Sequence, residues 1–500
     1  MHSWLFCVLG TPLRLLVDGA ANHSTVTTAL STARVDFKRI YWRIPLLSCD
    51  TDSVTDQSAA REASVLLSFR ATNARSFREE FELSLLATGV SEREYVRPVA
   101  WREGGTPVSV LPVAAIFGAN GSGKSNVLRA MDDMRRLVLH SFRYGDPSGG
   151  VARRPFLLDD VGRSSPTRFE VDLVLDGVRH EYGFSVGDER VIEEWAYRYP
   201  KGRAALLFQR EGDHVEFGSV ERAKGRALLE LLRPNALLLS TAAAANHPVL
   251  VPLYQWFGRN LILAEADSRE FRQALTTEML DDAHHGEHVL ALLQAADLGV
   301  VGATKREPDP VMQERMRRAV RILSGVEDDD SDEGPTFEQL GVRLAHRGAD
   351  GEIELEAEDE SLGTRVWFGL IGPVVRALEA GSVFLADELD ASLHPALVAQ
   401  LVRLFQDRET NPNRAQLVFN SHDASLLPDT AGDRLLGRDQ IWFTEKRSHG
   451  TTTLYPLVDL APRKREAVGK RYLAGRYGGT PILSHDEFAA AAALITATDR

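Results

Sequence analysis

The run Gly118-Ala119-Asn120-Gly121-Ser122-Gly123-Lys124-Ser125 fits the pattern GxxxxGK(S/T). These residue types can hold a triphosphate. Glycines let successive backbone N–H groups close on phosphate oxygens. A helix opening at the loop adds positive field. Lys124 would reach the β- and γ-phosphates, and the Ser125 hydroxyl would join the shell of a Mg²⁺ ion. Only eight of the 58 basic residues are lysines. A chance match is therefore on the order of one in a hundred. Gly118, Asn120, Gly121, Ser122, Gly123, Lys124, Ser125 and Asn126 are the expected contacts for ATP.

A second constellation lies far downstream. Ser382-Val-Phe-Leu-Ala-Asp387-Glu388 is an apolar run ending in two carboxylates. Asp387 would hold Mg²⁺, directly or through water, and Glu388 would act as general base on the attacking water. Leu389-Asp390-Ala-Ser-Leu-His-Pro395 follows, and Phe419-Asn-Ser-His422-Asp423 closes the next apolar run. Glu360-Ser361-Leu-Gly363-Thr364 stands upstream, at the start of a helical segment.

The elements that must position these residues are legible as patterns. Val110–Phe117 is a continuous apolar run of the kind found in a buried parallel strand, and Asn126–Val138 reads as a helix. Ser382–Leu385 and Gln416–Phe419 read as further buried strands, with helices over Arg365–Glu379 and Pro395–Arg408. Val65–Arg70, Glu80–Leu86, Phe169–Leu175, Arg179–Val186 and Val191–Tyr197 predict antiparallel strands, with turns at Asp176-Gly177 and Gly187-Asp188. Leu228–Thr241, Pro248–Ala264, Arg269–Gln294 and Pro310–Leu323 are helical in composition. Phe337–Leu344 and Gly351–Glu356 suggest a hairpin, and the acidic run Glu327–Glu333 a solvated loop.

Together these motifs resemble the ABC-type ATPase heads of the SMC, RecF and OLD proteins. They are closer still to the bacterial AAA family ATPases of the abortive-infection and RloA-like type. The resemblance covers about residues 65–483. It includes Asn73, Arg75, Ser76 and Phe77 in the opening strand pair, and Arg154-Pro-Phe156, Phe169-Glu-Val and Glu193-Glu-Trp195 in the middle sheet. Gln440–Lys446 and Tyr472–Pro481 match the family's C-terminal signature. It implies an α/β P-loop NTPase of the ABC-head type: a mixed β lobe and a parallel-sheet lobe with a compact helical insert. It further implies that Ser361, Gly363 and Thr364 are a signature motif meeting the γ-phosphate held by another protomer. Asp390 would couple the two sites, His422 would be the switch histidine, and Arg75 a nucleotide contact. The signature reads Ser-Leu-Gly-Thr rather than Ser-Gly-Gly-Gln, and no glutamine stands out for the Mg²⁺ shell beyond a weak Gln209.

The expected domains are a doubtful or disordered extension over 1–64, a first ATPase lobe over 65–214 and a helical insert over 215–325. A second lobe over 326–483 and a tail over 484–500 complete the chain. Lys124 and Asp387 are 387 − 124 = 263 residues apart, and heptad arms are absent. That spacing argues against a transporter subunit and a long-armed SMC protein. Two cysteines, Cys7 and Cys49, fit a reducing cytoplasm. No apolar run reaches 18 residues, so no membrane association is expected. The net charge of −13 argues against a general nucleic-acid coat. Three other groupings are weak: His284 and His288 as metal ligands, Arg135 and His140 at a ribonuclease-like spacing, and a basic stretch of Arg463, Lys464, Arg465, Lys470, Arg471 and Arg476. The expected behaviour is an ATP-driven homodimer or higher oligomer that controls a separately encoded effector, such as a nuclease, in antiphage defence. The alternative is a DNA-binding repair or DNA-structure-sensing ATPase. DNA or RNA therefore stays open as a ligand.

Overall fold

The computed structural model describes residues 2–8, 11–17, 64–219, 222–265, 268–306, 336–339, 341–428, 434–463, 466–480 and 484–497. The acidic run, the helix expected over 310–323, and Lys464 and Arg465 lie outside these residues. The described chain groups in two compact units. The larger comprises Glu62–Leu263, Gly381–Asp390 and Val398–Arg500, and the smaller Met1–Arg61, Ala264–Ala380 and Ala391–Leu397.

The larger unit carries two sheets. Six strands lie in the order Leu261–Ala264, Val383–Ala386, Gln416–Ser421, Val113–Gly118, Ile441–Lys446 and Thr452–Pro456. Val113–Gly118 runs parallel to both of its neighbours. Every residue of that strand is buried, which is why its sequence is apolar without alternation. Leu261–Ala264 departs from the helix expected over Pro248–Ala264. The helix stops at Arg259, and the Asn260 carbonyl accepts the Val383 N–H at 2.7 Å, which starts pairing with the sheet. Tertiary pairing overrides local composition there.

The second sheet has seven strands, in the order His214–Phe217, Ala205–Glu211, Val191–Arg198, Val178–Val186, Thr167–Leu175, Val65–Thr72 and Phe81–Ser84. All neighbours are antiparallel. The Asp176-Gly177 hairpin has φ of 49° and 72°, the left-handed pair that suits strand twist. One apolar cluster joins both sheets and the helix Lys124–His140, which buries Val127, Leu128, Met131, Met134, Leu137 and Val138 on one face. Each such side chain contributes roughly 1.5–3 kcal/mol of burial. Gln416 ties the sheets through polar groups. Its Oε1 accepts the Leu66 N–H at 2.7 Å and its Nε2 donates to the Leu66 carbonyl at 2.9 Å.

In the smaller unit, strands Val300–Lys305, Val342–Gly348 and Gly351–Glu356 form an antiparallel sheet. Helix Leu362–Ala380 packs against helices Arg269–Met279 and Ala283–Ala295. Pro373 lies inside that long helix, which runs on through it, and the nearby Gly372 N–H donates to Thr276 Oγ1 at 3.1 Å. His2–Val8 and Thr11–Val17 pair as a hairpin, and Thr336–Gln339 adds a third strand. The segment Thr336–Gln339 is thus separate from the hairpin formed by Val342–Gly348 and Gly351–Glu356. No helix among the described residues is long and apolar enough to cross a membrane.

Candidate nucleotide site

Three parallel strands of the larger unit end at the same edge of the six-stranded sheet, and each delivers a functional loop there. Carboxyl ends of parallel strands are where α/β sheets bind ligands. Val113–Gly118 leads into the phosphate loop, Val383–Ala386 into Asp387-Glu388, and Gln416–Ser421 into His422.

The loop is braced from outside. Asn126 Nδ2 and Thr452 Oγ1 both donate to Ser76 Oγ at 2.8 Å, Thr452 Oγ1 is 2.9 Å from the Ser122 carbonyl, and Ser122 Oγ lies 2.7 Å from Thr444 Oγ1. These contacts explain two glycines. A Cβ on Gly118 would fall 2.5 Å from Thr444 Oγ1, and one on Gly123 (φ +107°) 2.5 Å from Thr452 Oγ1. Helix Lys124–His140 begins directly at Gly123, so its free N–H groups face the loop.

Lys124 is 5% exposed, and its ammonium donates to the carbonyls of Gly118 at 2.8 Å and Ala119 at 3.1 Å. His422 Nδ1 lies 3.3 Å away. Burial pushes the Lys124 pKa down to about 8, against the opposing pull of Asp390, Glu388 and Asp387. His422 is held below its usual value by burial first and by the Lys124 charge second. Its backbone N–H donates to Asp390 Oδ2 at 3.1 Å, and Asp390 Oδ1 is buried with no hydrogen-bond partner among the described residues.

Asn420 joins the metal-binding pieces, although no sequence motif marks it. It is 0% exposed. Its Nδ2 donates to Asp387 Oδ1 at 2.6 Å and to Ser125 Oγ at 3.4 Å, while its Oδ1 accepts the Glu388 N–H at 2.5 Å. One amide thus holds the expected metal carboxylate, the expected metal hydroxyl and the backbone of the expected general base. Glu388 sits at φ +53°, a left-handed conformation that costs a non-glycine residue on the order of 1 kcal/mol. The Asn420 bond helps hold it there. Arg129 Nη2 also reaches Asp387 Oδ2 at 3.4 Å. The signal in the sequence was a polar residue at the end of a fully buried strand, Gln416–Ser421.

A carboxylate and a hydroxyl brought to one amide nitrogen are hard oxygen donors of the type that suits Mg²⁺. An ammonium that donates to two loop carbonyls beside a helix N-terminus suits a phosphate. The residues therefore fit both ATP and Mg²⁺.

Other expected site residues make contacts outside these two groups. The Arg75 guanidinium is bound in two-pronged fashion by Asp133, with Nε–Oδ2 at 2.5 Å and Nη2–Oδ1 at 2.8 Å. In this structure it braces the phosphate-loop helix. Gln209 sits on the antiparallel sheet, bonded to Tyr197 and Glu211. Arg135 donates to the Phe257 carbonyl and to Asp132, and half-buried His140 is pushed down to about 4 by burial and then by Arg135 and Arg136. That pair is structural. Ser361, Gly363 and Thr364 belong to the smaller unit. Ser361 Oγ accepts the Thr364 N–H at 3.1 Å, capping helix Leu362–Ala380. A Cβ on Gly363 would lie 2.9 Å from the Ser392 carbonyl.

The parallel sheet, the phosphate loop and the carboxylates at the next strand end define the class: a P-loop NTPase with an AAA-type domain. Residues 113–427, more than half of the chain, match the family described as "AAA domain, putative AbiEii toxin, Type IV TA system". The chain belongs to that family. Among solved structures it is similar to an SmcHead bound to the C-winged helix domain of ScpA, at 14% identity and a TM-score of 0.37, covering 78% of this chain and 96% of that one. It is also similar to the SMC head domain from Thermotoga maritima, at 13% identity and a TM-score of 0.34, covering 78% and 98%. A third similar structure is the recombination mediator RecF with ATP, at 12% identity and a TM-score of 0.31, covering 80% and 100%. No curated protein sequence matches the chain.

Proposed function

We propose that the chain binds ATP with Mg²⁺, hydrolyses it, and works as a homodimer or higher oligomer that gates a separately encoded effector in bacterial antiphage defence. The observation that carries the ATPase reading is the pair of hydrogen-bonded groups at one strand edge: Lys124 with His422 and Asp390, and Asn420 with Asp387, Ser125 and the Glu388 N–H. The matched family's description as a toxin of a type IV system supports the defence context.

In this reading Lys124 exchanges its two loop carbonyls for phosphate oxygens, and the N–H groups from Gly121 to Ser125 close around them. Ser125 and Asp387 would hold Mg²⁺, which when bound neutralises charge developing on the phosphates. Glu388 accepts a proton from the attacking water at its carboxylate. His422 contributes a neutral imidazole beside the γ-phosphate end of Lys124. Ser361, Gly363 and Thr364 of a second copy complete each site, so turnover requires two chains.

The test is Glu388→Gln and Lys124→Ala, read by ATP turnover and by light scattering with ATP. Glu388→Gln is expected to abolish turnover and accumulate an ATP-bound dimer. Lys124→Ala is expected to lose ATP binding. A Glu388→Gln chain that stays monomeric with saturating ATP defeats the dimer reading, and unchanged ATP affinity in Lys124→Ala defeats the site itself. Turnover that rises only with DNA, and weakens steeply with salt, points instead to a DNA-sensing ATPase.

A further inference from the structure

The smaller unit contains a cluster of imidazoles and carboxylates that the nucleotide site does not use. Helix Ala283–Ala295 carries His284, His285 and His288 in its first two turns. Glycine is a poor helix former, yet the helix runs through Gly286. The missing side chain makes room for the Leu280 carbonyl, which would lie 2.9 Å from a Cβ there. His284 and His288 are therefore one turn apart on one face, with ring centroids at 4.5 Å. Glu379, at the far end of helix Leu362–Ala380, meets them: its Oε1 lies 3.4 Å from His288 Nδ1. Donor atoms of His284, His288 and Glu379 all fall within 4.8 Å of one another.

We propose that His284, His288 and Glu379 form a binding site for a divalent transition-metal ion of Zn²⁺ character. Zinc takes imidazole nitrogens and carboxylate oxygens at about 2.0–2.2 Å, and a tetrahedron with such bonds has edges of about 3.4 Å. The His288–Glu379 separation already equals that edge. The remaining spacing closes by rotation of an exposed His284 ring, since all three side chains are exposed. Two imidazoles and one carboxylate leave one position to water. Mg²⁺ and Ca²⁺ prefer all-oxygen shells and are disfavoured here.

An outer set of contacts supports the donors. His285 Nε2 lies 3.1 Å from the other Glu379 oxygen, Oε2, and its Nδ1 lies 3.0 Å from Asp282 Oδ1. Asp282 Oδ1 in turn accepts the N–H groups of His284 at 3.0 Å and His285 at 2.9 Å, fixing the start of the helix. One Glu379 oxygen is thus oriented from behind while the other faces the two imidazoles. Metal ligands are commonly held by such outer partners. The site also joins two helices. It would pin the end of helix Leu362–Ala380 opposite the end that carries Ser361 and Thr364.

The experiment titrates the full chain with Zn²⁺ against a chromophoric chelator, without nucleotide. An Asp387→Asn background removes the carboxylate expected to hold metal at the nucleotide site. One Zn²⁺ per chain is expected. His284→Ala with His288→Ala is expected to weaken it at least about 100-fold, and Glu379→Gln about 10-fold, with circular dichroism unchanged. Unaltered stoichiometry and affinity in the double variant overturns the proposal. Should that variant misfold, the unmodified chain serves. Zn²⁺ should protect His284 and His288, but not exposed His449, from diethyl pyrocarbonate as read by mass spectrometry. Equal modification with and without Zn²⁺ overturns it as well.

Discussion

Asn420→Asp is an isosteric change at the centre of the nucleotide site. The new carboxylate keeps an acceptor for the Glu388 N–H but replaces the group that donates to Asp387 Oδ1 at 2.6 Å. Two carboxylates then face each other in a buried place. Their repulsion at such a distance is roughly 4–6 kcal/mol at an effective dielectric of about 20. Protonating one ordinary aspartate at pH 7 costs about 4 kcal/mol, from a pKa near 3.9 and about 1.4 kcal/mol per pH unit. The two magnitudes are comparable, so the pair takes up a shared proton near neutral pH. In the folded variant one group then titrates above its unfolded value. Its proton-linked stability is fully present below about pH 4 and is lost as pH rises through the raised pKa near 7. The variant should therefore lose roughly 2–3 kcal/mol relative to wild type between pH 5 and pH 7. Thermal melts of both chains from pH 5 to 8 measure this. Mg²⁺-dependent turnover should fall at least about 10-fold, since a hydrogen bond to a charged group contributes about 1.5–3 kcal/mol. A melting difference identical at pH 5 and pH 8 would refute the reasoning, because it would mean that no charge had been placed against Asp387.

Lys124, pushed down to about 8, loses its charge as pH rises through that value in the nucleotide-free chain. ATP affinity measured by fluorescence titration should be level below pH 8 and decline above it. Lys124→Arg keeps its charge at all these pH values, so any ATP binding it retains should show no such decline. Glu194 is fully buried and accepts the N–H groups of Leu238 at 2.6 Å and Leu239 at 3.0 Å and the Tyr182 hydroxyl at 3.1 Å, with Arg210 at 3.9 Å. Glu194→Ala leaves that guanidinium without its counter-charge and should cost about 3–5 kcal/mol, read by urea denaturation. Gly123→Ala forces a side chain against Thr452 at φ +107° and should abolish ATP binding while the antiparallel sheet, followed by circular dichroism, survives.

The sequence by itself determined the phosphate loop, because its chemistry depends on residues adjacent in the chain: a glycine turn, one lysine and one hydroxyl at set spacing. It also determined the buried strands, whose apolar runs need no knowledge of their partners. The Asp387-Glu388 pair was legible for the same reason, as carboxylates ending such a run. Tertiary structure alone decided the rest. Asn420 matters because strand pairing sets it beside Asp387, 33 residues away, and near Ser125, 295 residues away. Arg75 is expected from the sequence as a nucleotide contact, and only packing shows Asp133, 58 residues away, paired with it. Leu261–Ala264 has helical neighbours and becomes a strand because a sheet edge is there to pair with it. The histidine pair was only a weak metal candidate until Glu379, 91 residues beyond His288, arrived from another helix (379 − 288 = 91). Local chemistry is written in covalent spacing. Hydrogen bonds and ligand shells assembled across hundreds of residues depend on register and packing, which no single segment encodes.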